Sequence, residues 1–164
     1  MSLIYDRTSA DVERVAALKA KWRDGSITDD EKAEWLAGLK GAYNAKDLNR
    51  VGKFCNALAK ALGVGAAQKT DWTVGDIPTE AQITAYLANI AALQDASVDL
   101  KAFLDGLGVV IEGADDLGDR LPDTPGFDHE GANALELVLS QGEIVTSALS
   151  RGWLASGEIA AGET

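Results

Sequence analysis

Residues Thr28–Leu62, TDDEKAEWLAGLKGAYNAKDLNRVGKFCNALAKAL, decide the fold. Thr28 followed three residues later by Glu31 is a T-x-x-E capping box, the signature of a helix N-terminus. The helix it opens directs Trp35, Leu36 and Leu39 towards a core and ends near Gly41. Asn44 then fits an N-cap, with Asp47 in the first turn, where the helix dipole favours negative charge. From there Leu48, Val51, Cys55, Leu58 and Leu62 recur at spacings of three and four, a seam that stops at Gly63. Two heptads are too few for an independent coiled coil, so this helix must pack against neighbours.

The same reasoning extends outward. Thr8 and Asp11 start a helix over Ser9–Trp22, with Val12, Val15, Leu18 and Trp22 on one stripe, and Asp24-Gly25-Ser26 breaks it. Residues 64–78 are small and polar around a lone Trp72 and read as a linker between a unit at 1–63 and a second at 79–150. Thr79 with Gln82 caps a helix over Glu80–Leu93, and a shorter one follows over Val98–Leu107. Val109-Val110-Ile111 reads equally as a short strand or a helix end. An acidic loop spans 108–130, with Pro122 and Pro125, before a last helix over Gly131–Leu149. Beyond it the glycines of GWLASGEIAAGET predict an extended arm over 151–164. The class is all-α: a bundle of five to six helices.

Composition bounds function more by exclusion. Of 164 residues, 46% are apolar and 6% aromatic, enough for a core and biased to helix. No run approaches the ~20 apolar residues of a membrane span, and Met1–Asp6 lacks a signal-peptide pattern. The single Cys55 excludes an internal disulfide, sits on the apolar seam and reads as an inert thiol. Residues 1–104 carry 14 acidic and 13 basic side chains, whereas 105–164 carry 12 acidic and only Arg120 and Arg151, so almost all of the −11 charge lies in the last third. That distribution disfavours nucleic acid and anionic lipid as partners.

No catalytic, phosphate-binding or zinc motif is present, and no cofactor is implied. Asp115, Asp116, Asp119 and Asp123 lack EF-hand spacing, and His129 reads as a solvated loop residue. The residues that invite contact are Trp72 in the linker and Trp153 with Leu154 and Ile159 in the arm, since aromatic anchors concentrate interface energy. The competing reading for each tryptophan is that it folds back onto the bundle.

Four segments carry a resemblance: IYDRTSADVERV, EKAEWLAGLKGAYNAKDLNRV, KTDWTVGDIPT with its following YLANI, and the closing WLASGEIAAGE. Together they resemble helical virion proteins encoded among the tail genes of tailed bacteriophages and prophages of Gram-positive bacteria. The likeness covers 5–62 and 70–94. Over 128–164 it rests on Asn133, Glu136, Trp153, Ser156, Gly157 and Glu158, while 95–127 resembles an insertion. It implies a non-enzymatic structural protein of a tail, tail tip or baseplate, assembled in the host cytoplasm and carried in the virion. Its partners would be other tail proteins and copies of itself. The alternative is a host-surface or glycan recognition module on the same particle, with Trp72 or Trp153 stacking on a sugar. A third possibility, an enzyme, would have to use the carboxylates of 112–130.

Overall fold

A computed structural model describes residues 2–114, 117 and 128–161, with side chains up to 151. Its five helices are α1 (Ser9–Asp24), α2 (Asp29–Ala37), α3 (Ala45–Leu62), α4 (Glu80–Gly106) and α5 (His129–Ala161), and the described residues contain no strand. The fold is an all-α bundle.

Local chemistry sets each start. Thr8 with Asp11, Thr28 with Glu31, Asn44 with Asp47 and Thr79 with Gln82 all form reciprocal capping boxes. Each satisfies backbone N–H groups that a helix end leaves without partners. At α5 the Asp128 carboxylate accepts from Gly131 N at 2.7 Å.

The core lies among α3, α4 and α5, which pack on one another. Val51, Cys55 and Leu58 of α3 meet Tyr86, Ile90 and Leu93 of α4 and Leu135 and Leu139 of α5. A second cluster extends the core along the far half of α4, where Leu104, Val138 and Val145 enclose Ile111, Ala114 and Leu117. Side chains of this kind contribute roughly 1.5–3 kcal/mol each on burial. Thus α3, expected in an N-terminal unit with α1 and α2, shares its core with α4 and α5.

The segment read as a linker is bound to that core over 66–72. The Asn49 side chain accepts from Trp72 N at 2.8 Å and donates to Trp72 O at 2.7 Å. Asn56 brackets Gln68 in the same way, and Gln68 Nε2 donates to Tyr86 O. The strap passes so close to α3 that a Cβ on Gly52 would lie 2.7 Å from Lys69 O.

Three expectations need correcting. Residues 80–106 form one helix, where a break was expected near 94–97. Those positions hold neither Gly nor Pro, and the two buried polar side chains among them bond inside: Ser97 Oγ donates to Leu93 O and Gln94 Nε2 to Leu117 O. The backbone of α5 stays helical to Ala161, so 151–161 is no extended arm. The Ala, Leu and Glu of that stretch are strong helix formers, and each glycine costs only about 1 kcal/mol. Finally, α1 buries only Leu18 and α2 buries nothing. Val12, Trp22 and Leu36 of the expected inner faces are exposed. The two helices form a hairpin standing off the core, held by Trp22 against Trp35 with centroids 6.1 Å apart and by Arg14–Glu34 and Lys21–Glu31 pairs.

Candidate functional site

The most unusual chemistry in the molecule is a charge cluster inside it. Glu136 has no exposed surface, although it sits on the stripe of α5 that also carries Ala132, Leu135 and Leu139. A buried carboxylate is tolerated only if paired and hydrogen-bonded. Here Oε1 accepts from Arg7 Nη2 and from Arg50 Nη2, each at 2.8 Å, and Oε2 accepts from Ile4 N at 2.6 Å.

Each partner comes from a different part of the chain. Arg7 lies in the segment before α1 and is itself 4% exposed. Its guanidinium also donates to Lys40 O at 3.1 Å and to Ile4 O, reaches Asp47 Oδ1 at 3.4 Å, and lies 5.3 Å from the centre of the Tyr43 ring. Asp47 serves two ends at once. Its Oδ2 accepts from Asn44 N to cap α3, and its Oδ1 accepts from Arg50 at 2.7 Å. Two guanidinium groups therefore face two carboxylates, and the cluster is neutral. Asn133, one turn before Glu136, accepts from Arg7 N and donates to Arg7 O, so both the backbone and the side chain of Arg7 are fastened to α5.

The surroundings tune the titrating groups. Burial pushes the Glu136 carboxyl above its ordinary value, against the pull of the Ile4 N–H, Arg7 and Arg50. Tyr43 and Tyr86 share a 2.6 Å hydroxyl contact, and burial raises both phenols. Burial likewise pushes the Cys55 thiol up to about 12. On its outer side the cluster adjoins an open cavity of about 770 Å³ between the N-terminal segment and 37–46, which Asp47 and Arg50 line together with Tyr5 and Lys40.

The geometry suits closure of the chain rather than proton transfer, because every oxygen of Glu136 is engaged and none is accessible. It ties the N-terminal segment, the start of α3 and the middle of α5 into one unit.

The structure places the expected site residues differently. Trp72 is buried at 9% exposure in the first core cluster, with Lys69 Nζ 4.8 Å from the centre of its ring. It folds back onto the bundle and presents no open ring face to a partner or a sugar. Trp153, Leu154 and Ile159 lie on the helical backbone of α5, and their side chains fall outside the described residues. Asp115, Asp116, Asp119 and Asp123 also lie outside them. The caps Thr28, Glu31, Asn44, Asp47 and Thr79 stand where expected. Sequence reasoning missed the ionic role of Arg7, Asp47, Arg50 and Glu136. The available signal was a carboxylate on the apolar stripe of α5, a position that demands a buried cation opposite.

Among the described residues, no group of three or more His, Cys, Asp or Glu side chains is placed to hold a metal ion, and no helix is long and apolar enough to cross a membrane. Comparison with protein families, curated proteins and solved structures finds no match to this chain.

Proposed function

We propose that this chain is a non-enzymatic structural component of the tail, tail tip or baseplate of a tailed bacteriophage or phage-like particle, working through protein–protein contacts. One observation carries the reading. Residues from the first two segments that bear the resemblance to tail proteins meet Asn133 and Glu136, up to 129 residues away, in a single network: Arg7 of IYDRT, Tyr43 and Asn44 of KGAYN, and Asp47 and Arg50 of DLNRV. Residues that define the motif are thus engaged in holding the fold together. That use of the motif supports a structural role.

Trp153, Leu154 and Ile159 at the end of α5 are proposed as inter-subunit contacts. The test is a mass-spectrometric inventory of purified particles from the source strain. The reading expects this polypeptide in fixed proportion to the other tail proteins. Its absence from intact particles would refute the assignment.

A further inference from the structure

Segment 2–7 is held as a ligand is held. Among the described residues, no hydrogen bond from main chain to main chain joins it to another part of the chain. Its attachments run through the side chains of a prepared seat. Glu136 takes the Ile4 N–H and the Arg7 guanidinium, and Asn133 takes both main-chain groups of Arg7. Arg50 donates to Ser2 O at 3.2 Å, and Lys40 pairs with Asp6 at 2.9 Å. The seat thus reads main chain and side chain together. It is costly to leave empty, because without Arg7 a carboxylate that has no exposed surface loses a cation.

Space lies on both sides of the segment. The cavity of about 770 Å³ opens between it and 37–40, and a second of about 250 Å³ opens between Ser2, Leu3 and Tyr5 on one side and Phe54, Ser140 and Glu143 on the other. The segment joins α1 through Thr8, whose φ of −121° and ψ of 165° are ordinary extended backbone, and α1 buries only Leu18. Rotation at Thr8 therefore lifts 2–7 while the α3–α4–α5 core stays packed.

We infer that the seat formed by Lys40, Asp47, Arg50, Asn133 and Glu136 also takes segment 2–7 of a second copy, so that two copies of this chain associate by exchanging these segments. The occupant is fixed by what the seat already holds: every contact made within one chain is remade across the pair. Exchange is reciprocal and gives a two-fold dimer. Six residues span at most ~20 Å, which sets how near the two seats approach. Within one chain the tether keeps the segment at an effective concentration on the order of millimolar. A copy therefore closes on itself in dilute solution and pairs where copies are crowded. The inference goes beyond the tail-protein reading and does not depend on it.

The test mixes two full-length variants, Ser2→Cys and Ser140→Cys, one of them carrying a mass tag. After a day together they are treated with a short bismaleimide that spans the cavity both positions line. Cys55 is buried and stays out of the reaction. The mixed cross-linked dimer should exceed either same-variant dimer at least tenfold, and its yield should grow as the protein concentration rises towards millimolar. Adding Arg7→Met to the Ser2→Cys chain removes the group the seat reads and should cut the mixed dimer at least tenfold. Asn133→Ala in the Ser140→Cys chain spares the ion cluster and should cut it about fivefold, with circular dichroism checking that helicity is kept. A mixed dimer no more abundant than the same-variant dimers, or a yield indifferent to both added substitutions, would overturn the inference and leave the tail-protein reading in place. Particles lacking the chain would refute that reading alone.

Discussion

Replacing Arg7 with Met isolates the buried cluster. The substitution keeps the length and apolar stem of the side chain but removes the guanidinium that Glu136 and Asp47 face. It also leaves the Ile4 and Lys40 carbonyl oxygens without that donor. The cluster changes from neutral to one uncompensated negative charge, centred on a carboxylate with no solvent contact. Breaking one member of a buried pair costs about 3–5 kcal/mol, a large share of the 5–15 kcal/mol typical of a domain. Urea unfolding followed by circular dichroism at pH 7 should show that loss. Because Glu136 already binds its proton more tightly in the fold than in the unfolded chain, its contribution is full below the ordinary carboxyl value of 4.5 and is lost as pH rises through the raised one. Without Arg7 that value rises further. The penalty should therefore be largest at pH 7 and shrink as pH falls through that raised value. Combining Arg7→Met with Glu136→Leu leaves Arg50 with Asp47 as a balanced pair, so the double variant should lose clearly less than the sum of the two singles. A loss under about 1 kcal/mol, a penalty indifferent to pH, or strict additivity would refute the reasoning.

Other outcomes follow from the same geometry. Gly41→Ala would place a Cβ 2.2 Å from the backbone oxygen of Asp11, an atom that cannot swing aside. It should lower the melting temperature by roughly 6–12 °C, taking roughly 3 kcal/mol for an overpacked site and about 2–4 °C per kcal/mol at this chain length; an unchanged value would show that the 38–44 segment does not press on α1. Asn49→Ala removes both bonds to Trp72 and should speed hydrogen exchange at the Trp72 amide at least tenfold, for about 1.5 kcal/mol of hydrogen bonding; exchange at the parent rate would deny the strap its anchor. Cys55, buried and with its thiol pushed up to about 12, should react with Ellman's reagent only in denaturant. Acid should act on the α1–α2 hairpin in the opposite sense to Glu136. The Thr8 backbone N–H and hydroxyl hold Asp11 below its ordinary 3.8, and Lys21 and the Thr28 N–H hold Glu31 below 4.5. Their stabilisation is present above those values and lost as pH falls through the depressed ones. Helicity that rises or stays constant from about pH 5 to pH 2 would contradict this.

The parts legible in the sequence were those fixed by neighbours in the chain. Thr8, Thr28, Asn44 and Thr79 marked helix starts because a cap is a contact over three residues. The Val51–Cys55–Leu58 seam showed because helical period alone places it. What failed was set by distant partners. The helix was expected to break between Leu93 and Val98 because Gln94 and Ser97 interrupt the apolar pattern, whereas the Leu117 and Leu93 carbonyls receive them inside. Val12, Trp22 and Leu36 form good stripes that no third element covers. Trp72 seemed stranded in a linker because its anchor, Asn49, lies 23 residues earlier and gives no local sign of that role. The pairing of Arg7 with Glu136 spans 129 residues, beyond any periodicity.

The central claim is that the N-terminal segment is fastened into the core by this ionic cluster. Hydrogen exchange at the Ile4 and Arg7 amides tests it most directly, since both lie outside any helix and donate only to side chains of α5. The account predicts protection comparable to that of Val51 and Leu139 in the core, lost for both amides together in Arg7→Met. Exchange at the rate of a fraying chain end in the parent protein would contradict it.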